Sequence, residues 1–398
     1  MIVERYFVMT GRRFVSRTLK KPLLSSRVSI VANVFGSKPG RRESVVKADV
    51  TLFEHDGTEM SVTNGNFQRR TVRAFAAVIV VVLSLAFSAT AVADTGVKAE
   101  RADLLARAMA DGRALDLTVH SSSMNRDVPV RVLVAADTSV PRPTLYLLNG
   151  SGGGEGDAHW FVQTDLVKFA ADKNVNIVVP MSGGYSYYTD WVKADPNFGL
   201  NKWTTFLTGE LPPVIDQKVN GSGVNGIAGI SMAGTSVLAL AESAPDLYRA
   251  VAAYSGCAET STRLGQLAVQ AVVGERGDVR NMWGPVGGPG WRDHDPVVNA
   301  HKLRGKTIYV SSGTGMPGRH DHLANEAIDG DVVEYARIVG VGGPLEAATH
   351  YCTQNLDKRL EQLRIPATFD YEPGTHSWPY WQDQLAKSWP MLERALTR

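Results

Sequence analysis

The stretch that most limits how this chain can fold is NGIAGISMAGTSVLALAES, residues 225–243. An apolar strand runs into Gly229-Ile230-Ser231-Met232-Ala233-Gly234, and an apolar helix follows with no linker between them. A chain that turns this sharply brings two backbones close together, so only small residues fit on either side of the bend. Gly229 precedes the serine by two positions, and Ala233 and Gly234 follow it by two and three. This is the setting of a nucleophile elbow, in which a serine is held on a strained turn with its Oγ exposed. Serine is also a common helix N-cap, but an N-cap needs neither the preceding strand nor the small flanking residues.

Around the elbow, short apolar runs alternate with amphipathic stretches from about Asp116 to the end, the pattern of an α/β sheet protein. Predicted strands are 129–135, 144–148, 177–181, 226–230, 250–254, 307–311 and 367–372. LYLL and NIVVP are continuous apolar runs, as expected of parallel strands buried on both faces. Predicted helices are 161–173, 204–217, 232–243, 326–339 and 379–396. The Gly/Pro-rich stretch 284–290 reads as an inserted loop, and there is no internal repeat. Residues 116–398 are expected to form a single α/β domain, preceded by a short segment, 94–115.

The N-terminal quarter differs in charge. Residues 1–93 hold 14 Lys+Arg against 6 Asp+Glu, leaving 28 against 34 in residues 94–398. Arg69, Arg70 and Arg73 precede the apolar run AFAAVIVVVLSLAF, and Ala91-Val92-Ala93 ends it. That is the anatomy of an export signal over 69–93, with cleavage before Asp94. Left uncleaved, the run approaches the length of a membrane anchor, the one route to membrane association in the sequence. Residues 1–68 are expected to be a disordered or mis-called extension, since an export signal belongs at a start codon and Met60 stands nine residues before Arg69. The exported remainder is mildly acidic, which disfavours nucleic acid as a partner.

A serine needs a base, and on this architecture the chain order is serine, acid, histidine. His376, in PGTHSWPYW, lies between the last predicted strand and the last helix. Asp321, after the strand TIYVSSGTG, and Glu346, in GGPLEAATHYC, are both placed to serve as the acid that orients it. An oxyanion hole takes one N–H from the residue after the nucleophile, here Met232, and another from an early loop, here LLNGSGGGEGD. The glycine run lacks the following Gly-Lys-Ser/Thr of a phosphate-binding loop. His320 and His322 have no third ligand at a suggestive spacing, so no metal or other cofactor is expected. In an oxidising compartment Cys257 and Cys352 are expected to pair.

At these residues the chain resembles the secreted mycolyltransferases of mycobacteria and corynebacteria, the antigen 85 type, which are α/β-hydrolase-fold acyltransferases. The matching runs are LYLLNG, GGYSYYTDW (183–191), KWTTFLTGELP (202–212), GISMAGTS (229–236), MWGP (282–285) and GTHSWPYW (374–381). They cover 115–398 in family order. The resemblance implies a mostly parallel sheet with helices on both faces. It implies Glu346 as the acid, with Ser231 and His376 completing a triad and Asp321 as the runner-up. It places the second oxyanion N–H on Ser151, and Asn149 and Trp378 at the bound sugar. Where the family has an acidic residue, this chain has Asn149, and glycines replace an arginine of the next loop, so strict trehalose specificity is not expected. The activity implied is transfer of a mycoloyl group from trehalose monomycolate to a second trehalose monomycolate or to cell-wall arabinogalactan. The alternatives are a carboxylesterase on the same fold and a non-catalytic surface protein that binds a host matrix protein.

Overall fold

The computed structural model describes residues 95–397, and before them only the backbone of five strand segments. The chain divides into two compact units, Met1–Arg73 and Ala74–Arg398. In the first, Arg5–Thr10 pairs antiparallel with Arg13–Thr18, and Ser29–Phe35, Lys47–Phe53 and Glu59–Val62 form a three-stranded antiparallel sheet. The export signal expected over 69–93 lies outside the described residues.

The second unit is built on eight strands: β1 (Ala114–Ser121), β2 (Arg126–Leu133), β3 (Arg142–Leu148), β4 (Asn176–Pro180), β5 (Gly221–Ile230), β6 (Tyr248–Tyr254), β7 (Thr307–Gly313) and β8 (Thr368–Glu372). Their order across the sheet is β1-β2-β4-β3-β5-β6-β7-β8. The β1–β2 and β2–β4 pairs are antiparallel and every other pair is parallel. This is the mostly parallel α/β-hydrolase sheet. Leu145, Tyr146, Leu147 and Leu148 of β3 are all fully buried. Their side chains alternate between the two apolar cores, Tyr146 and Leu148 on one face and Leu145 and Leu147 on the other.

The elbow strand β5 feeds helix α1 (Met232–Ser243), in which only Ala239 and Ser243 are not buried. A helix apolar on all sides belongs in the interior, and this one packs against β5 and β6. Two expected helices differ from the sequence reading. The 161–173 stretch breaks into Trp160–Gln163 and Leu166–Ala170, because Thr164 is extended and turns its hydroxyl back to the Trp160 carbonyl. The 326–339 stretch begins later, at Val332, and does not stop at the following glycines. It passes through a π-helical turn, Ile338–Gly342, into helix α2 (Gly343–Gln362). The last helix, α3 (Trp378–Leu396), lies against β5, β6 and β7.

Cys257, just past β6, is bonded to Cys352 of α2, closing 95 residues of chain. In the chain-entropy model a loop of that length stabilises the fold by about 4 to 5 kcal/mol. Among the described residues no helix is long and apolar enough to cross a membrane.

Candidate active site

The parallel strands all end on one edge of the sheet, and the loops leaving β3, β5, β6, β7 and β8 converge there, where α/β sheets bind ligands. Ser231 sits at the end of β5 with φ 54° and ψ −122°, a left-handed backbone that costs a non-glycine residue of order 1–3 kcal/mol. Close packing around the bend holds it there. A Cβ on Gly229 would fall 2.9 Å from the Ala233 Cβ and 3.0 Å from Val237, and one on Gly234 would fall 2.8 Å from the Tyr254 carbonyl. The Ser231 N–H donates to that same carbonyl at 2.9 Å.

Ser231 Oγ lies 2.8 Å from Nε2 of His376, which stands on the loop between β8 and α3. The other ring nitrogen, Nδ1, lies 2.5 Å from Oε2 of Glu346. Glu346 is fully buried. Its second oxygen accepts from the Ser255 hydroxyl at 2.7 Å and from the Gly313 N–H at 2.6 Å. A carboxylate in this position only accepts, so Nδ1 carries the imidazole proton and Nε2 is left to accept from the serine. The edge of Trp381 packs on the imidazole with ring centres 4.9 Å apart, and its indole N–H donates to Ser255.

The glycines that obscured α2 in the sequence bring the acid to the histidine. Gly342 lies so close to the His376 backbone that a Cβ there would meet its nitrogen at 3.4 Å. Gly343 and Gly315 approach still more closely, each added Cβ falling under 3 Å from the other's carbonyl. The π turn takes up the extra residue, and Pro344, which has no N–H to donate back into the preceding turn, sits where the π turn meets α2. Glu346 thus comes from the first turn of a helix.

The runner-up acid stands elsewhere. Asp321 accepts from the Thr375 hydroxyl at 2.7 Å, the Tyr380 phenol at 2.8 Å and the Gly318 N–H at 2.8 Å. It clamps the residue before His376 and does not touch the imidazole. Burial, and then the Asp321 carboxylate itself, push the Tyr380 phenol up, so it stays a donor.

Met232 is the first residue of α1, so its N–H has no acceptor within the helix. The loop after β3 lies directly over the serine: a Cβ on Gly150 would be 3.4 Å from the Ser231 Cβ, and Ser151 follows. Asn149 is fully buried behind that loop, donating to the Pro180 carbonyl and accepting from the Trp160 N–H. Both ends of its amide are therefore used within the protein. Trp378 is half-buried, its ring edge-on to Trp160 and Trp381 at 5.6 and 5.1 Å. His320 is occupied by Asp383 at 2.5 Å, and no cluster of three or more metal-ligating side chains occurs among the described residues.

Sequence reasoning passed over Ser255, Gly313 and Trp381. Ser255 has φ 52° and follows its strand as Ser231 follows β5, a parallel visible in the run AVAAYSG. Gly313 acts through its backbone and left no signal.

The arrangement can deprotonate a serine and hold the resulting imidazolium against a buried carboxylate, two requirements of acyl transfer, and the Met232 N–H at the start of α1 is free of a helical acceptor. The family described as "Putative esterase" matches residues 121–392. The diacylglycerol acyltransferase/mycolyltransferase Ag85A of Mycobacterium leprae is 30% identical over 291 residues, 70% of this chain and 82% of the relative. The protein of the same name from Mycobacterium tuberculosis is 30% identical over 296 residues, 70% of this chain and 80% of the relative. The crystal structure of Mycobacterium tuberculosis MPT51 (FbpC1) superposes with a TM-score of 0.56 at 24% identity, covering 71% of this chain and 98% of that one.

Proposed function

This chain belongs to the antigen 85 mycolyltransferase family of esterase-like α/β-hydrolases, and on that premise we propose that it is an exported acyltransferase moving mycoloyl groups between sugars. The observation that carries the reading is the hydrogen-bonded line from Ser231 through His376 to Glu346, held at 2.8 and 2.5 Å on a strained elbow. His376 Nε2 takes the Ser231 proton as Oγ attacks the ester carbonyl of trehalose monomycolate. The oxyanion is held by the N–H groups of Met232 and Ser151. The tetrahedral intermediate expels the sugar oxygen, which leaves with the proton from His376, and a mycoloyl-serine remains. A hydroxyl of a second trehalose monomycolate or of arabinogalactan then gives its proton to His376 and attacks the acyl carbon, and Ser231 recovers its proton.

The buried amide of Asn149 and the side-chain-free loop Gly152–Gly154 leave few fixed contacts for one particular sugar, which supports a broader acceptor range. Export through a signal over 69–93 is part of the same reading, and the disulfide is consistent with an oxidising compartment. Product analysis with trehalose monomycolate, with and without added sugar acceptor, tests it. Trehalose dimycolate or acylated acceptor is expected. Free mycolic acid as the sole product, whatever the acceptor, would replace transferase with carboxylesterase. A mature N-terminus other than Asp94 would refute the placement of the signal.

A further inference from the structure

Three tyrosines near the catalytic serine hold a backbone conformation that bulky residues resist. Tyr185, Tyr187 and Tyr188 have φ of 58°, 54° and 46°, in the left-handed region where the Cβ crowds the following carbonyl. Elsewhere among the described residues non-glycine residues adopt it singly. Strain gathered in so short a run persists only where the surroundings enforce it, and it collects at working sites.

The core supplies the enforcement. Tyr188 is fully buried with its ring edge-on to Trp203 at 5.5 Å, and Tyr187 is buried edge-on to Trp283 at 5.9 Å. The Ser186 hydroxyl between them donates to the Gly183 carbonyl at 2.6 Å and accepts from the Tyr188 N–H at 3.1 Å. The Trp191 indole N–H donates to the Ser186 carbonyl at 3.0 Å.

Anchored on that side, the turn reaches two residues of the catalytic centre with backbone N–H groups. The Tyr185 N–H donates to the Ser151 carbonyl at 2.7 Å. The Tyr187 N–H donates to the Met232 sulfur at 3.4 Å. The preceding glycines press on the same Ser151 loop: a Cβ on Gly153 would fall 2.1 Å from the Gly184 nitrogen, and one on Gly184 would fall 3.2 Å from the Gly152 carbonyl oxygen. A residue has only φ and ψ with which to aim its peptide, and φ sets the direction of its N–H relative to its side chain. The left-handed value lets Tyr187 bury its ring among the aromatics while its N–H faces Met232.

We propose that the Tyr185–Tyr188 turn positions the oxyanion hole, holding the Ser151 loop by its carbonyl and the start of α1 by the Met232 sulfur. The two N–H groups that receive the oxyanion in the acyl-serine reading, on which this proposal rests, then stand at one fixed spacing. Donors aimed before the charge develops cost no reorganisation during the reaction, and the turn supplies that order. It acts through other residues, so its members are positioning residues and not catalytic ones.

Hydrolysis of p-nitrophenyl butyrate and inhibition by butylboronic acid test this in the full chain. The boronic acid adds to a serine hydroxyl as a tetrahedral anion that mimics the transition state. Its inhibition constant therefore reports the oxyanion hole and, unlike kcat, is independent of the fraction of chain that is folded. Gly184→Ala pushes on Gly152, and Met232→Leu removes the sulfur at nearly constant volume. Tyr185→Val opposes a positive φ, whereas Tyr185→Gly adopts it freely and keeps the N–H. One oxyanion donor carries about 10²–10³ in kcat; Gly184→Ala and Tyr185→Val should each lose at least about tenfold of it. Boronate inhibition should weaken by the same factor while KM stays within about twofold, the mark of an interaction made only in the transition state. Met232→Leu should lose about threefold in the same two readouts, and Tyr185→Gly should lie closer to the parent than Tyr185→Val. Loss of kcat with unchanged boronate inhibition, or Tyr185→Gly as impaired as Tyr185→Val, would overturn the proposal and leave the serine chemistry standing. A parent chain that neither hydrolyses the ester nor binds the boronate would instead refute the acyl-serine reading, and the proposal with it.

Discussion

Replacing Glu346 by Gln changes one oxygen to an NH₂ group, and the structure dictates which one. The Oε1 position accepts from both the Ser255 hydroxyl and the Gly313 N–H. The hydroxyl can rotate, but the backbone N–H, 2.6 Å away, cannot. An amide NH₂ there would face a fixed donor, so the Gln oxygen takes that place and its NH₂ points at His376 Nδ1. Nδ1 must then accept, the imidazole proton moves to Nε2, and Nε2 faces Ser231 with a hydrogen where the lone pair is needed. A triad locked in the wrong tautomer loses about 10⁴ in kcat, or about 5.4 kcal/mol of barrier. Because the Gln keeps the contacts to Ser255 and Gly313, melting temperature should change little. The assay is steady-state hydrolysis of p-nitrophenyl butyrate, with Asp321→Asn as the comparison. Asp321→Asn should lower stability, by disturbing the clamp on Thr375, more than it lowers kcat. A Glu346→Gln variant within tenfold of the parent, or an Asp321→Asn variant with the larger loss of kcat, would refute the reasoning.

Gly229→Val should cost about 1–3 kcal/mol or more, because its Cβ would press on Ala233 and Val237, and chemical denaturation measures this. Replacing Cys257 and Cys352 together by Ser should remove about 4 kcal/mol of stability, and an unchanged denaturation midpoint would contradict that. Burial raises the Glu242 carboxyl well above its ordinary range, so the folded state keeps a proton that the unfolded chain releases. The stability linked to that group is fully present below the unfolded pKa and is lost as pH rises through the folded one. Glu242→Gln should therefore match the parent near pH 4 and exceed it at pH 8. Equal melting temperatures at both pH values would show that burial does not shift this carboxyl.

How much could be read in advance depended on how local the signal was. The bend at Ser231 is specified by its immediate neighbours, so β5 and α1 were both foreseen, and chain order pointed to His376. Strand β1 was missed because its burial is broken: ALDLTVHS lies at the sheet edge and exposes several of its residues. Helix α2 was missed because Gly340, Gly342, Gly343 and Pro344 read as a stop. Those glycines answer to a distant loop pressed against them, and local propensity carries no information about it. For the same reason spacing alone does not choose between Asp321 and Glu346, and only the family resemblance points to Glu346. The burial of Asn149 was illegible, since its partners Pro180 and Trp160 meet it only in the folded sheet.

Acylation of Ser231 is the step on which the account depends, and intact-mass measurement after brief incubation with trehalose monomycolate observes it directly. The parent chain should gain the mass of one mycoloyl group, mapped by peptide analysis to Ser231, and the adduct should disappear when sugar acceptor is added. Ser231→Ala should gain nothing. An adduct that persists in Ser231→Ala, or turnover of the ester with no adduct in either protein under single-turnover conditions, would contradict the account.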